Sequence, residues 1–384
     1  MNRHAALLVA FAFFVALLSP LETAAAVLTD SLKPSVAVFV PENLSGKPAP
    51  LKVLRESLIR DVASIGISIL DDASLERFML RHRVRYTGGI DGDSALALKT
   101  EEKIDAVLIS SVTLYDESSP PKLSVIARLV STGERPAIMW MGSASVSGDD
   151  SRGILGIGLI TDPVELREKV VGSLVRSLAV QLSGEKAEAK PTKGRYRPKI
   201  FYQSDSFSPG TGYAVAVAPF LNFSDRKYAG DIIVLHFIEE LLKNGFDVVE
   251  PGVLRQKLLN MRIIMNEGIT LKDADVISLG LNADLVLAGK VNDYEDYTGP
   301  EGSPRVDFSV LIIEKMTKKV LWSSKSYNRG DDGVFFFDRG KVSTADRLAT
   351  YMTSAIVEKI SQPGVEVEGE PGLGELPFSP RRTE

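Results

Sequence analysis

The chain has 384 residues, 44% apolar and 25% charged, which is enough for two ordinary cores. A net charge of -5 works against a general polyanion binder and excludes nucleic acid as a partner class. With no cysteine, the cores hold without disulfides, and no thiol is available for lipid attachment or metal binding.

Arg3 and His4 precede an apolar run over 5–18, Pro20 breaks it, and Ala24, Ala25 and Ala26 supply small residues for cleavage. The pattern predicts a secretory signal over 1–26, with the mature chain starting at Val27 in the periplasm, peripheral to the outer membrane. The run is too short to span a bilayer comfortably.

Residues 27–183 read as a first domain. An apolar strand over 35–40 is followed by Leu51, Leu54, Leu58, Val62 and Ile65 at helical spacing, with Gly66 as the stop. A short strand over 67–70 comes next, then Asp71 and Asp72 capping a helix with Leu75, Met79 and Leu80. A weaker helix over 94–103 leads to three strands, 105–115, 123–130 and 137–147, the last containing Trp140. Leu166, Val170, Leu174, Leu178 and Leu182 form one stripe of a closing helix.

Residues 184–212, rich in Lys, Pro, Ser and Gly, read as a linker. Residues 213–362 repeat the first domain. A strand over 213–218 precedes a helix with Val234, Ile238, Leu241 and Leu242 inward, a strand over 246–250, and helices over 253–261 and 271–279. Strands over 284–294, 305–316 and 319–327 follow, with Trp322 in the last, and a helix carrying Leu348, Met352, Ile356 and Ile360 closes the domain. The tail over 363–384, with Glu366, Glu368 and Glu370 among Pro and Gly, reads as disordered.

The two halves share a constant register. Val36-Ala37-Val38 with Asn43 and Ser45 returns as Val215-Ala216-Val217 with Asn222 and Ser224, and each run ends in a proline, Pro41 and Pro219, one residue out of step. Gly66, Leu75, Leu80, Arg83, Gly89 and Tyr115 return at the same spacing as Gly245, Leu254, Leu259, Arg262, Gly268 and Tyr294. The expected fold class is α/β (α+β), two tandem β-α-β-α-α-β-β-β-α domains. Each is a mixed sheet of about five strands packed with helices, parallel across the helices and antiparallel across the turns.

The strand ending in Pro-Phe-x-Asn-x-Ser (219–224), the strand Ala-Asp-Leu-Val-Leu-Ala-Gly (283–289) and the strand Lys-Lys-Val-Leu-Trp-Ser (318–323) resemble the family of the curli-secretion protein CsgG. The N-terminal domain of TolB and the LpoB activator have a similar fold. The resemblance implies an envelope-assembly or export protein without catalytic residues, and family rings imply self-assembly. Two departures stand out. The chain lacks a lipid-bearing cysteine, and its connections at 116–122 and 295–304 are too short for a barrel hairpin, since a membrane strand takes about 9–11 residues.

Two apolar loops after the fifth strands are the candidate docking sites: Ile154, Leu155, Ile157 and Leu159 in the first domain, and Phe335, Phe336 and Phe337 in the second. They dock a neighbouring subunit, a partner or a membrane surface, or they fold over their own sheets as satellite core. Asn43 and Asn222 are assigned to closing the turn after the first strand of each domain.

Other constellations point away from chemistry. The glycines over 153–158 lack the dinucleotide order, and there is no Walker sequence. His82 and His236 stand far apart, short of the three ligands of a zinc site. Asp331, Asp332 and Asp338 miss the calcium-loop spacing and read as a solvated turn. Ser119 and Lys122 match Ser-x-x-Lys but bracket a Pro-Pro turn instead of a helix face. Arg77, Arg81, His82, Arg83 and Arg85 read first as a solvated basic helix face.

The sequence therefore predicts no catalytic, cofactor or metal site. It predicts a non-enzymatic envelope protein acting through protein–protein contacts in periplasmic or outer-membrane assembly or export, with envelope proteins as partners and peripheral membrane contact open to it. The alternative is a periplasmic small-ligand binder using the cleft between the two domains.

Overall fold

The computed structural model describes residues 33–150, 158–185, 194–208, 210, 212–263, 269–297, 302–334 and 340–361. The signal-like segment and the acidic tail lie outside them.

In the first unit β1 (Ser35–Val38) lies between β3 (Ser68–Ile69) and β4 (Ala106–Asp116), parallel to both. β5 (Lys122–Ser131) and β6 (Ile138–Ser147) extend the sheet antiparallel, and the two-residue β2 (Glu42–Asn43) pairs with β4 beyond β1. The second unit repeats this order. β8 (Ala214–Val217) lies between β10 (Asp247–Val248) and β11 (Leu285–Glu295), followed by β12 (Arg305–Glu314) and β13 (Val320–Arg329), with β9 (Leu221–Asn222) beside β11. Parallel neighbours are joined through helices and antiparallel neighbours through short turns, because only antiparallel strands can be closed by a tight turn.

The sheets have six and seven strands, more than the expected five. The two-residue strands β2 and β9 follow prolines and carry too little pattern to be read. The seventh strand, β7 (Ile200–Gln203), arises from the polar stretch between the units and adds antiparallel to the β13 edge.

Each sheet has helices on both faces. In the first unit α1 (Leu51–Ser64) and α4 (Pro163–Leu182) cover the front, where Leu54, Leu58, Val170 and Leu174 meet Val36, Leu108 and Leu129. α2 (Asp72–Arg81) and α3 (Gly92–Glu101) cover half of the back, burying Leu75, Phe78 and Leu98 against Ala37, Val107 and Ile109. Both back helices start on an Asp whose carboxylate accepts a backbone N–H three residues on, Asp71 from Ser74 and Asp91 from Ser94, each at 2.9 Å. In the second unit α5 (Ala229–Lys243) and α8 (Ala345–Ser361) take the front, and α6 (Pro251–Asn260) and α7 (Leu271–Leu281) half of the back.

Local chemistry repeats with the fold. Asn43 Oδ1 accepts from Ser45 N at 3.0 Å while its amide donates to Lys47 O at 2.8 Å. Asn222 does the same with Ser224 N at 3.1 Å and Arg226 O at 2.7 Å. Such self-bonded turns satisfy backbone groups where a strand breaks off. Arg83 and Arg262 both sit at positive φ, 53° and 55°, one residue past the helix C-caps.

The two units are not separate bodies on a tether. The back of the first, over β5 and β6, packs on the front of the second. Leu44, Ile126 and Met141 join the core built around α5 and α8. For this reason α5 is buried nearly all round, with Ile232, Leu235, Phe237 and Ile238 out of solvent together with His236 and Glu239, whereas α1 is buried on one side. Val234 and Leu242, expected inward, are half-buried at the margin of that core.

Candidate functional site: the uncovered front face of the first unit

The contact between the units shows what this fold buries when it docks. Arg128, on the back of β5, reaches Glu250 at the start of α6, with Nε to Oε2 at 3.0 Å, and also donates to Gly88 O at 2.6 Å. Both side chains are essentially out of solvent. Burial disfavours the guanidinium charge, but Glu250 outweighs it and raises the Arg128 pKa. The β6 edge is capped from across the junction, Ser143 N donating to Glu239 Oε1 at 3.0 Å and Arg347 donating to Ser145 O. Arg347 also pairs with Asp150 at 2.8 Å. Arg226 donates to Thr113 O at 2.6 Å. The place where a two-lobed ligand binder would open is filled by Ile126, Arg128 and Met141.

The front of the second unit is thereby covered, and among the described residues nothing covers the equivalent front of the first. Val53 on α1 is 40% exposed and Val164 on α4 is 50% exposed. Between the starts of these helices, the end of β4 and the start of β5 lies a cavity of about 140 Å³, lined by Pro50, Leu54, Val112, Leu123, Pro163 and Val164.

Three polar groups rim this cavity. Tyr115 donates its hydroxyl to Glu117, and burial together with that carboxylate pushes the Tyr115 pKa up to about 12, so the ring stays neutral at physiological pH. Among the described residues Arg167 touches Glu168 at 3.5 Å, and its buried Nε has no hydrogen-bond partner there. The site therefore combines an apolar floor with a guanidinium that has donor capacity to spare, suited to an apolar side chain with an acceptor next to it.

The positions singled out from sequence fall as follows. Ile154, Leu155, Ile157, Phe335, Phe336 and Phe337 lie outside the described residues, and Leu159 is 38% exposed. The bases of both loops are built alike. Gly148 N donates to Pro121 O at 2.8 Å and Gly330 N to Pro304 O at 2.9 Å, and a Cβ on either glycine would lie on a backbone oxygen. Asp332 accepts from Asn328 and Arg329 N and closes a turn. Arg81 and His82 are both drawn to Glu101, so they do not present a common charged face. Lys122 donates to the carbonyls of Tyr297 and Ser343 across the junction, away from any Ser-Lys pairing.

Sequence reasoning missed Arg128, Glu239 and Glu250, whose role depends on the other unit. The one signal available was α5, whose apolar residues spread over more than a single helix face.

No protein-family model matches the chain, and no curated protein matches it. Among solved structures it is similar to the PelC dodecamer from Paraburkholderia phytofirmans, at 20% identity and TM-score 0.31 over 43% of this chain and 99% of that one. It is also similar to the LpoB C-terminal domain from Salmonella enterica, at 16% identity and TM-score 0.25 over 33% and 87%. Lipoprotein GNA1162 from Neisseria meningitidis matches at 15% identity and TM-score 0.27 over 38% and 97%. Each match covers less than half of this chain. Among the described residues no helix is long and apolar enough to cross a membrane.

Proposed function

We propose that this chain is a non-enzymatic cell-envelope protein that works by protein–protein contact in periplasmic or outer-membrane assembly or export, and that it binds its partner on the open front face of the first unit. The observation that carries the proposal is the difference between two equivalent faces. The front of the second unit is sealed by an α/β sheet, while the front of the first stands open with an apolar cavity and an Arg167 Nε that lacks an acceptor. The signal-like N-terminus supports the periplasmic address. An envelope protein partner places an apolar side chain in the cavity and a carboxylate or carbonyl against Arg167.

A photo-crosslinking residue at Val53 or Val164, tested in intact cells against the same residue at Tyr327 on the far side, decides the matter. A distinct envelope protein captured from Val53 or Val164 and not from Tyr327 supports the reading. Capture from Tyr327 alone, or none from any position, removes it.

A further inference from the structure

The contact inside the chain is heterologous: the back of one unit meets the front of the next. Contacts of that kind can continue indefinitely or close into rings, unless the end faces forbid it. The two end faces can be compared with the contact residue by residue. Val112 pairs with Val125 and Val291 with Phe308, while Leu129 pairs with Trp140 and Ile312 with Trp322. This register sets Ile126, Arg128, Ser143 and Ser145 of the covered back level with Ser309, Leu311, Lys325 and Tyr327 of the open back. Counting back from Gly66 and Gly245, both at positive φ just past their helices, sets Ile232, Leu235 and Glu239 of the covered front level with Val53, Glu56 and Arg60 of the open front.

Continuing the contact from chain to chain would therefore lose its two charge pairs and the bond that caps the β6 edge. Ser143 N meets Glu239 inside the chain. The same position between chains brings Lys325 to Arg60, two like charges already held by carboxylates of their own, Asp307 for Lys325 and Asp61 and Glu168 for Arg60. Arg347 meets Asp150 inside the chain. Leu166 of α4 and Leu348 of α8 open matching stripes, so Glu165 stands level with Arg347, and between chains it would meet Asp332, two carboxylates. The Arg128–Glu250 pair becomes Leu311 beside Asp71, and the buried Leu235 is replaced by Glu56.

The open back has moreover satisfied itself. Arg305 bonds Glu295 and lies 3.6 Å from Asp293, and Lys325 lies 3.7 Å from Asp307. The covered back carries serines at the matching places, Ser124 and Ser143. Opposite charges paired across strands on a free sheet face suit water, and they resist burial under another subunit.

We propose that the chain is a closed pair: one heterologous contact made internally, with both ends capped by charge so that a second copy of the chain cannot continue it. The end faces act as the polar capping repeats of a solenoid do, and like charges placed level with the contact exclude the wrong partner. This departs from the ring assembly that the sequence resemblance implies, and it holds whatever binds the open front.

Sedimentation velocity on the purified chain from the micromolar to the hundred-micromolar range tests it, together with lysine crosslinking of mixed light- and heavy-isotope chains. The expected result is a single monomeric species. The double variant Arg60→Glu, Glu165→Arg, which turns both mismatches into pairs, is expected to self-associate more strongly than the parent. Oligomers of the unaltered chain with crosslinks between Lys52 of one copy and Lys325 of another would overturn the proposal. Loss of the Val53 crosslink to an envelope partner would count against the proposed function and leave the closed pair untouched.

Discussion

Arg128 and Glu250 meet across the junction of the two units as a two-pronged ion pair, Nε to Oε2 at 3.0 Å and Nη2 to Oε1 at 3.1 Å, with almost no solvent contact. Glu250 also accepts from Ile90 N at 3.2 Å and Gly252 N at 3.3 Å, so one carboxylate joins the α6 start to the loop before α3. Removing either partner leaves a buried charge without a counter-charge. Arg128→Ala and Glu250→Ala are each expected to cost about 3–5 kcal/mol. Replacing both by Met and Leu is expected to cost far less, because desolvation of the pair disappears with it. Denaturant unfolding of the single and double variants measures this. Additive losses would show that the pair is not coupled.

Close backbone approach holds the same junction. A Cβ on Gly252 would lie 2.4 Å from Ile90 N and O, and one on Gly89 would lie 2.8 Å from Gly252 N. Neither obstacle is a side-chain tip that can swing away. Gly252→Ala is expected to lose about 1–3 kcal/mol and to loosen the units against each other. Amide hydrogen exchange would show new exposure in 86–92 and at the start of α6. Unchanged exchange there would mean that the backbone gives way at no cost.

Much of this fold was legible in the chain because burial writes its own period. The strands around Val36 and Val215, the Gly66 and Gly245 stops and the Leu166 and Leu348 stripes all came from residues that bury against their own sheet. What escaped was decided by the neighbour. Arg128 looks like an ordinary strand charge until Glu250 arrives from the other unit. β7 could not be read because Ile200 and Tyr202 are largely exposed, so its alternation marks an edge instead of a core. The cavity beside Arg167 is formed by residues from four separate elements, and no local spacing encodes it.

β7 covers the β13 edge and is held there by one aromatic anchor. Phe201 stacks on Trp322 with centroids 5.3 Å apart, and Lys359 Nζ lies 3.4 Å from the Phe201 ring centroid. Lys199 N and Ser204 N donate to β13 carbonyls at 3.0 and 2.9 Å, extending the pairing at both ends. Phe201→Ala is expected to release this strand and expose an unpaired edge, raising aggregation above that of the parent. Light scattering on concentration, with protease cleavage within 196–206 as a second readout, measures it. A variant that stays clear and resists cleavage would show that the backbone pairing suffices alone.

His236 makes stability depend on pH in a direction that follows from its partners. Burial works against the imidazolium. Asp346 at 3.2 Å, with Glu239 and Glu240 behind it, outweighs burial and holds the His236 pKa above its ordinary value. Thr350 Oγ1 lies 3.2 Å from Nδ1 and passes its own proton to Asp346 O at 3.1 Å, so the charged ring has an acceptor on each nitrogen. A folded pKa above the unfolded value means the contribution is fully present below about pH 6.5 and is lost as pH rises through the folded value. Asp296, raised chiefly by burial and also by Asp346 nearby, has the same sign, from the ordinary carboxylate range upward. Asp105 is the opposite case. Lys99 and Ser35 N hold it down to about 2, so its contribution is lost only as pH falls below the ordinary carboxylate range. As pH rises above about 6.5 the unfolding free energy is therefore expected to fall, by at most about 1.4 kcal/mol per unit for one proton. His236→Gln is expected to flatten that decline. Parallel curves for parent and variant across this window would show that the charge on His236 does not stabilise the second unit.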